Sequence, residues 1–145
     1  MRLISSLFAK LRSSGKPQNH ERFIAMSDED LHRIETALQV RLPETYRSVM
    51  LTLPAGRYDG YSLHEDASMI VDRTNEQRSG YAGGQPWPHQ YVYIGDEDDA
   101  CPYALDCETG AVIYADHGNL AKPLARFDSV TEFVARLERG LKDED

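Results

Sequence analysis

Cysteine and tryptophan are scarce in this chain of 145 residues, which holds two of the first and one of the second. Cys101 and Cys107 fit neither the spacing of a zinc pair nor a redox Cys-x-x-Cys. They read as buried free thiols near the two ends of one strand. Long apolar runs are missing too: nothing approaches the ~20 residues of a membrane helix. The N-terminal MRLISSLFAKLRSSGK makes a poor signal peptide, because Ser5 and Ser6 interrupt its apolar run and Lys10 and Arg12 follow closely. A cytoplasmic protein is expected. Internal repeats are absent.

The usual marks of catalysis are also missing. There is no Gly-x-Ser-x-Gly elbow. There is no phosphate loop, since Gly83-Gly84 runs into Gln85-Pro86, which is unsuited to opening a helix around an anion. The five histidines (His20, His32, His64, His89, His117) are scattered and read as surface or capping residues. A calcium loop starting at Asp96 fails: Asp96 and Asp98 suit its first two ligands, but Ala100 takes the place of the third. Cys101 then replaces the turn glycine and Cys107 the closing glutamate. Asp116-His117 looks like part of a catalytic pair, yet neighbours on a strand point to opposite faces. No catalytic residue, metal or cofactor is expected.

Basic charge is in short supply. The net charge is -8 and the pI about 5.1. Nonspecific nucleic-acid binding needs lysine and arginine against phosphate, so direct nucleic-acid binding is not expected. A basic protein partner remains possible. Residues 1–22 hold five basic side chains and one acid, so the rest of the chain carries -12. Asp96 to Glu108 contains six acids and no base.

What is present reads as an α+β domain. Leu3, Ile4, Leu7, Phe8 and Leu11 form a short basic amphipathic helix, read as packing on the domain or on another copy rather than on a membrane. Ser13 to Asn19 is a linker, so residues 1–19 are set apart from a single domain over 20–145. Ser27 caps a helix whose first turn is Asp28-Glu29-Asp30; Met26 and Leu31 form a hydrophobic staple, and Leu31, Ile34 and Leu38 face the core. Pro43 ends that helix and suits the first turn of the next, which buries Tyr46, Val49, Met50 and Leu53.

Tyr58–Leu63 reads as a short strand or turn. Asp66–Arg78 reads as a helix with Met69, Ile70 and Val71 as its apolar part. Three strands follow: Tyr91–Ile94, Pro102–Cys107 and Ala111–Tyr114. They are separated by the acidic Gly95–Asp99 break and the Glu108-Thr109-Gly110 turn. Leu124–Phe127 is strand-like. Ser129 and Glu132 form a capping box for a last helix with Val130, Phe133, Val134, Leu137 and Leu141 on one face. The sheet is antiparallel, of about four to six strands, packed by N- and C-terminal helices.

The ordered set Leu42-Pro43-Glu44-x-Tyr46-Arg47, Ile94-Gly95-Asp96, Leu105-Asp106-x-x-Thr109-Gly110-x-Val112 and a capped terminal helix resembles the SUKH superfamily. The resemblance covers roughly Ser27 to Leu141. That superfamily contains yeast cell-wall regulators and many bacterial immunity proteins against polymorphic toxins. It implies an α+β domain that binds a toxin and performs no chemistry. This sequence departs from the pattern by carrying Glu97, Asp98 and Asp99 where glycines are frequent. A nucleic-acid-cleaving toxin is the kind of basic partner that the charge suits. A regulatory or scaffold domain without a toxin partner is the alternative. The candidate partner-binding residues are Asp96, Glu97, Asp98 and Asp99 as a solvated acidic loop, with Tyr58, Tyr61, Tyr81 and Asp116. Trp87, between two prolines, is expected in the core. A monomer or weak homodimer is expected.

Overall fold

The computed structural model describes residues 25–52, 56–58, 61–63, 66–80, 84–97 and 101–143, with backbone alone at 56–58, 61–62 and 138–143. The N-terminal amphipathic segment, Leu53 and the Leu141 side chain lie outside these. Four helices are described: α1 (Asp28–Leu38), α2 (Glu44–Thr52), α3 (Ala67–Arg78) and α4 (Val130–Asp143). Six strands, β1 (Gly56–Tyr58), β2 (Tyr61–Leu63), β3 (Tyr91–Glu97), β4 (Pro102–Asp106), β5 (Val112–Asp116) and β6 (Asn119–Phe127), form one sheet in sequential order. Every neighbouring pair is antiparallel. The chain is therefore a meander with helices inserted before β1, between β2 and β3, and after β6.

The helix starts follow from local chemistry. Ser27 Oγ accepts from the Asp30 amide and the Asp30 carboxylate accepts from the Ser27 amide, both at 3.1 Å. Met26 and Leu31 are buried as the staple requires. At α4 the expected box is shifted by one residue on one side: Ser129 Oγ accepts from the Glu132 amide, while Glu132 reaches back to the Asp128 amide at 2.7 Å. For α3 the cap is Asp66. Its buried face is Ala67, Ile70 and Thr74, and Met69, expected inside, is exposed.

The sheet separates two cores. Alternate residues Val92, Tyr103, Leu105 and Val112 join Leu31, Ile34, Leu38, Tyr46, Met50 and the α4 residues Val130, Phe133, Val134 and Leu137. The opposite face carries Tyr93, Ala104 and Ile113 under Trp87. Trp87 stacks on Tyr93 with ring centroids 6.2 Å apart, and its indole N–H donates to the Gly118 carbonyl at 2.8 Å. Trp87 is thus core, as expected.

Three strands run past their expected ends. β3 continues through Gly95 and Asp96 to Glu97 because a bulge falls between Tyr93 and Gly95. β5 extends through Ala115 to Asp116 and turns at His117 and Gly118, both with positive φ. β6 begins at Asn119. Its irregular register opposite Ala115 admits Pro123, which has no amide to donate.

The motifs hold corners of this frame. Glu35 accepts from the Leu42 amide at 2.8 Å and pairs with Arg47 at 3.3 Å, fixing the α1–α2 corner. Asp106, buried, accepts from the Glu108 amide, and Thr109 accepts from the Ala111 amide. Gly110 supplies the positive φ that closes this turn. Arg78 donates to the Leu38 and His89 carbonyls, tying the end of α1 to the segment before β3.

Two outcomes are expected from this packing. Leu137→Ala empties a fully buried site and should lower stability by about 2–5 kcal/mol in urea unfolding. An unchanged midpoint would remove α4 from the core. Tyr46 is 1% exposed and its hydroxyl has no hydrogen-bond partner. Burial raises its pKa. Tyr46→Phe should therefore stabilise the fold by about 1 kcal/mol, by removing a desolvated, unsatisfied group. A loss of stability would show that the hydroxyl is satisfied.

Candidate functional site: the acidic end of the sheet

The register gathers most of the candidate residues at one end of the sheet. Tyr58 pairs with Tyr61, and Tyr61 pairs with Glu97. The Glu97 amide donates to the Cys101 carbonyl at 3.2 Å. Tyr103 pairs with Tyr114, so two residues further on Cys101 stands across from Asp116. Tyr58, Tyr61, Glu97, Cys101 and Asp116 thus form a row across the sheet. Asp96 lies next to it, paired with Ser62 on one side and Pro102 on the other. Tyr81, Asp98 and Asp99 lie outside the described residues, and at Tyr58 and Tyr61 only the backbone is described.

Asp96 and Glu97 are not bare loop acids. They belong to β3 and are half-buried. The bulge shifts the register by one residue, so Gly95 pairs with Tyr103 where unbroken pairing would put Ile94. That slip reverses which face the next residues occupy. Asp96 consequently accepts a hydrogen bond from the Tyr93 hydroxyl on the Trp87 side. Glu97 turns to the helix side, where its two oxygens accept from Tyr103 and, at 2.9 Å, from Tyr114. Burial, then the bond to Asp96, raise the Tyr93 pKa, so this phenol remains a proton donor.

The tyrosines are themselves fixed. Tyr103 and Tyr114 have ring centroids 5.2 Å apart, and Tyr103 lies 4.7 Å from Phe133 of α4. The acids are therefore held in place from below by the core. Held acceptors of this kind can meet cationic groups with little further ordering.

The pair Asp116-His117 corrects a sequence expectation. The side chains do not point apart: His117 Nδ1 lies 2.8 Å from Asp116 Oδ1. His117 has left the strand for the left-handed region at φ 52, which swings its ring back over its neighbour. Its amide donates to the Cys101 sulfur at 3.4 Å. Sequence reasoning placed Asp116 at the site and missed Cys101 and His117. A glycine directly after the histidine, Gly118, was the available sign of a turn there.

Among the described residues, no helix is long and apolar enough to cross a membrane.

Glu97→Gln retains one acceptor oxygen for two phenols. It should destabilise the fold by about 1–2 kcal/mol in urea unfolding, the scale of a lost bond to a charged acceptor at a half-buried site. Equal stability would mean that the two tyrosine bonds contribute nothing net.

Comparison with curated proteins gave no match. The profile of the SMI1 / KNR4 family (SUKH-1) matches residues 25–136, which run from α1 into the first half of α4 and take in the whole sheet and each corner motif. With most of its length covered by that profile, the chain belongs to the SMI1 / KNR4 family (SUKH-1).

Proposed function

We propose that this protein is an immunity protein, which binds a cognate bacterial polymorphic toxin and neutralises it by occlusion, without chemistry of its own. The observation that carries this reading is the alignment of Tyr58, Tyr61, Asp96, Glu97 and Asp116 at one end of the sheet. Family membership is compatible with it. A net charge of -8 favours a basic partner, and a nuclease, whose surface must attract phosphate, is the class that fits best. Acidic groups steer such a partner and pair with cations around its active site; tyrosines supply contact area at small entropic loss. Asp98 and Asp99, which follow Glu97 in sequence, extend the same negative stretch. Tyr81 is included as a further contact residue. Residues 1–19 are assigned as a separate basic segment, 20–145 as the binding domain, and a monomer or weak homodimer in the cytoplasm as the acting form.

The test is association kinetics with the toxin encoded beside this gene, for the parent and for a variant combining Asp96→Asn, Asp98→Asn and Asp99→Asn. Glu97 is left intact because the tyrosines depend on it. The variant should fold normally and associate about tenfold more slowly at low salt, with a flatter salt dependence. Unchanged rates, together with unchanged protection of cells, would move the binding face elsewhere. A stable complex with a protein that is not a toxin would replace immunity with a scaffold role.

A further inference from the structure

The corner where β4 begins and β5 ends holds three side chains of different metal-ligating chemistry. Cys101 Sγ, an Asp116 carboxylate oxygen and a His117 ring nitrogen all lie within 4.8 Å of one another. They come from the residue before β4, the last residue of β5 and the turn after it, far from any sequence motif for metal. We propose that Cys101, Asp116 and His117 bind a borderline divalent cation of the zinc type, with one coordination position left open.

The donor set selects the ion. A thiolate disfavours calcium and magnesium, which take oxygen ligands, while sulfur, imidazole and carboxylate together suit zinc. Zinc bonds of about 2.0–2.3 Å need donor atoms roughly 3.3–3.7 Å apart around a tetrahedron. The present spacing reaches that by small side-chain rotations. The His117 side chain is 80% exposed and can make them, while Cys101 is buried at 2% and supplies the fixed point.

The backbone is already arranged for this. The His117 amide donates to Cys101 Sγ at 3.4 Å, which holds the turn against the sulfur. His117 sits at φ 52, and the turn is fixed on both sides of the next residue. The Trp87 indole holds the Gly118 carbonyl, and a Cβ at Gly118 would meet Gln77 Oε1 at 2.7 Å. The turn that presents His117 to Cys101 is therefore tied to the sheet by Trp87, with the Gln77 side chain of α3 close beside Gly118. On binding, the cation replaces the Cys101 thiol proton, which leaves to solvent, and separates His117 from Asp116 to take a lone pair from each. Three protein ligands leave a fourth position for water or for a side chain of another molecule.

The other cysteine provides a control. Cys107 lies between β4 and β5 at the opposite end of β4 from Cys101, away from Asp116 and His117.

This inference is independent of the partner reading, since it needs no toxin. The experiment is cobalt(II) titration of the untagged full chain, followed by zinc. A thiolate-to-cobalt charge-transfer band should appear with one-to-one stoichiometry, and zinc should bleach it. Zinc should also raise the melting temperature in a concentration-dependent way. Cys101→Ser should abolish the band. His117→Ala and Asp116→Asn should each weaken binding at least about tenfold, since removing even an outer partner of a ligand has that scale of effect. Cys107→Ser should leave the titration unchanged. Should Cys101→Ser fail to fold, His117→Ala decides, because that side chain is exposed. No band in the parent, or equal affinity in His117→Ala, would overturn the proposal.

Discussion

The bulge in β3 is the constraint on which the acidic end of the sheet depends. A β-strand alternates its side chains strictly, so one extra residue reverses the assignment of everything after it. Ile94 and Gly95 share the step where the register slips. Without it, Glu97 would face the Trp87 side and Asp96 would enter the helix layer. Tyr103 and Tyr114 would then have no carboxylate to meet. The slip also coincides with a change of neighbour along the strand. From Gly95 onward β3 is paired to β2, whereas the Tyr93 amide donates to Thr74 Oγ1 of α3 at 2.9 Å. Thr74 is a buried polar residue on a helix because it substitutes there for a missing strand. Helix α3 and strand β2 thus share one edge of β3, and the bulge marks the handover.

Most residues that carry the family resemblance lie away from the candidate site; Asp96 alone belongs to both. Leu42, Pro43, Glu44, Tyr46 and Arg47 build the α1–α2 corner, and Asp106, Thr109 and Gly110 build the β4–β5 turn. At these changes of direction Glu35, Asp106 and Thr109 accept from the amides of Leu42, Glu108 and Ala111, which would otherwise be left unpaired. Fold and partner choice can therefore vary separately. A chain could exchange every exposed group at the Asp96 end and keep the same frame, provided that Glu97, or some other acceptor, still meets the two phenols. Domains that must follow changing partners need such a division, because the binding surface can diverge without loss of the core.

Much of the architecture was legible in the sequence because it rests on local chemistry. The capped starts of α1 and α4, the new helix opening after Pro43 and the strands themselves need only near neighbours, although α1 already ends at Leu38, where Gln39 is left-handed, and not at the proline. Trp87 in the core followed from its place between prolines. The misses share a different cause. The end of β3 reads as a solvated break because Gly95 and a run of acids mark loops in general; Glu97 is satisfied by phenols from two other strands and Asp96 by Tyr93 across the bulge, and neither arrangement is visible locally. Met69 belongs to the apolar part that the sequence suggests for α3, whereas the buried face follows Ala67, Ile70 and Thr74 at helical spacing. Asp116 and His117 were expected on opposite faces by the rule for strands, which lapses once the second residue enters a left-handed turn. Cys101 lies fifteen residues before Asp116 in the chain and across from it in the sheet, so only the register brings them together.

Trp87 gives the molecule a built-in optical property. It is the only tryptophan, it is 4% exposed, and its ring rests on Tyr93 while its N–H grips the Gly118 carbonyl. Intrinsic fluorescence excited in the indole band therefore comes from a single place, the smaller core on the side of the sheet away from the α1, α2 and α4 residues. Circular dichroism in the peptide region is dominated instead by the helices. The two signals sample the two faces of one sheet, so comparing them separates loss of the Trp87 face from loss of the helix layer. The same emission comes from within one hydrogen bond of the turn that carries His117. The residue that fastens that corner to the sheet is also a natural gauge of whether the corner has moved.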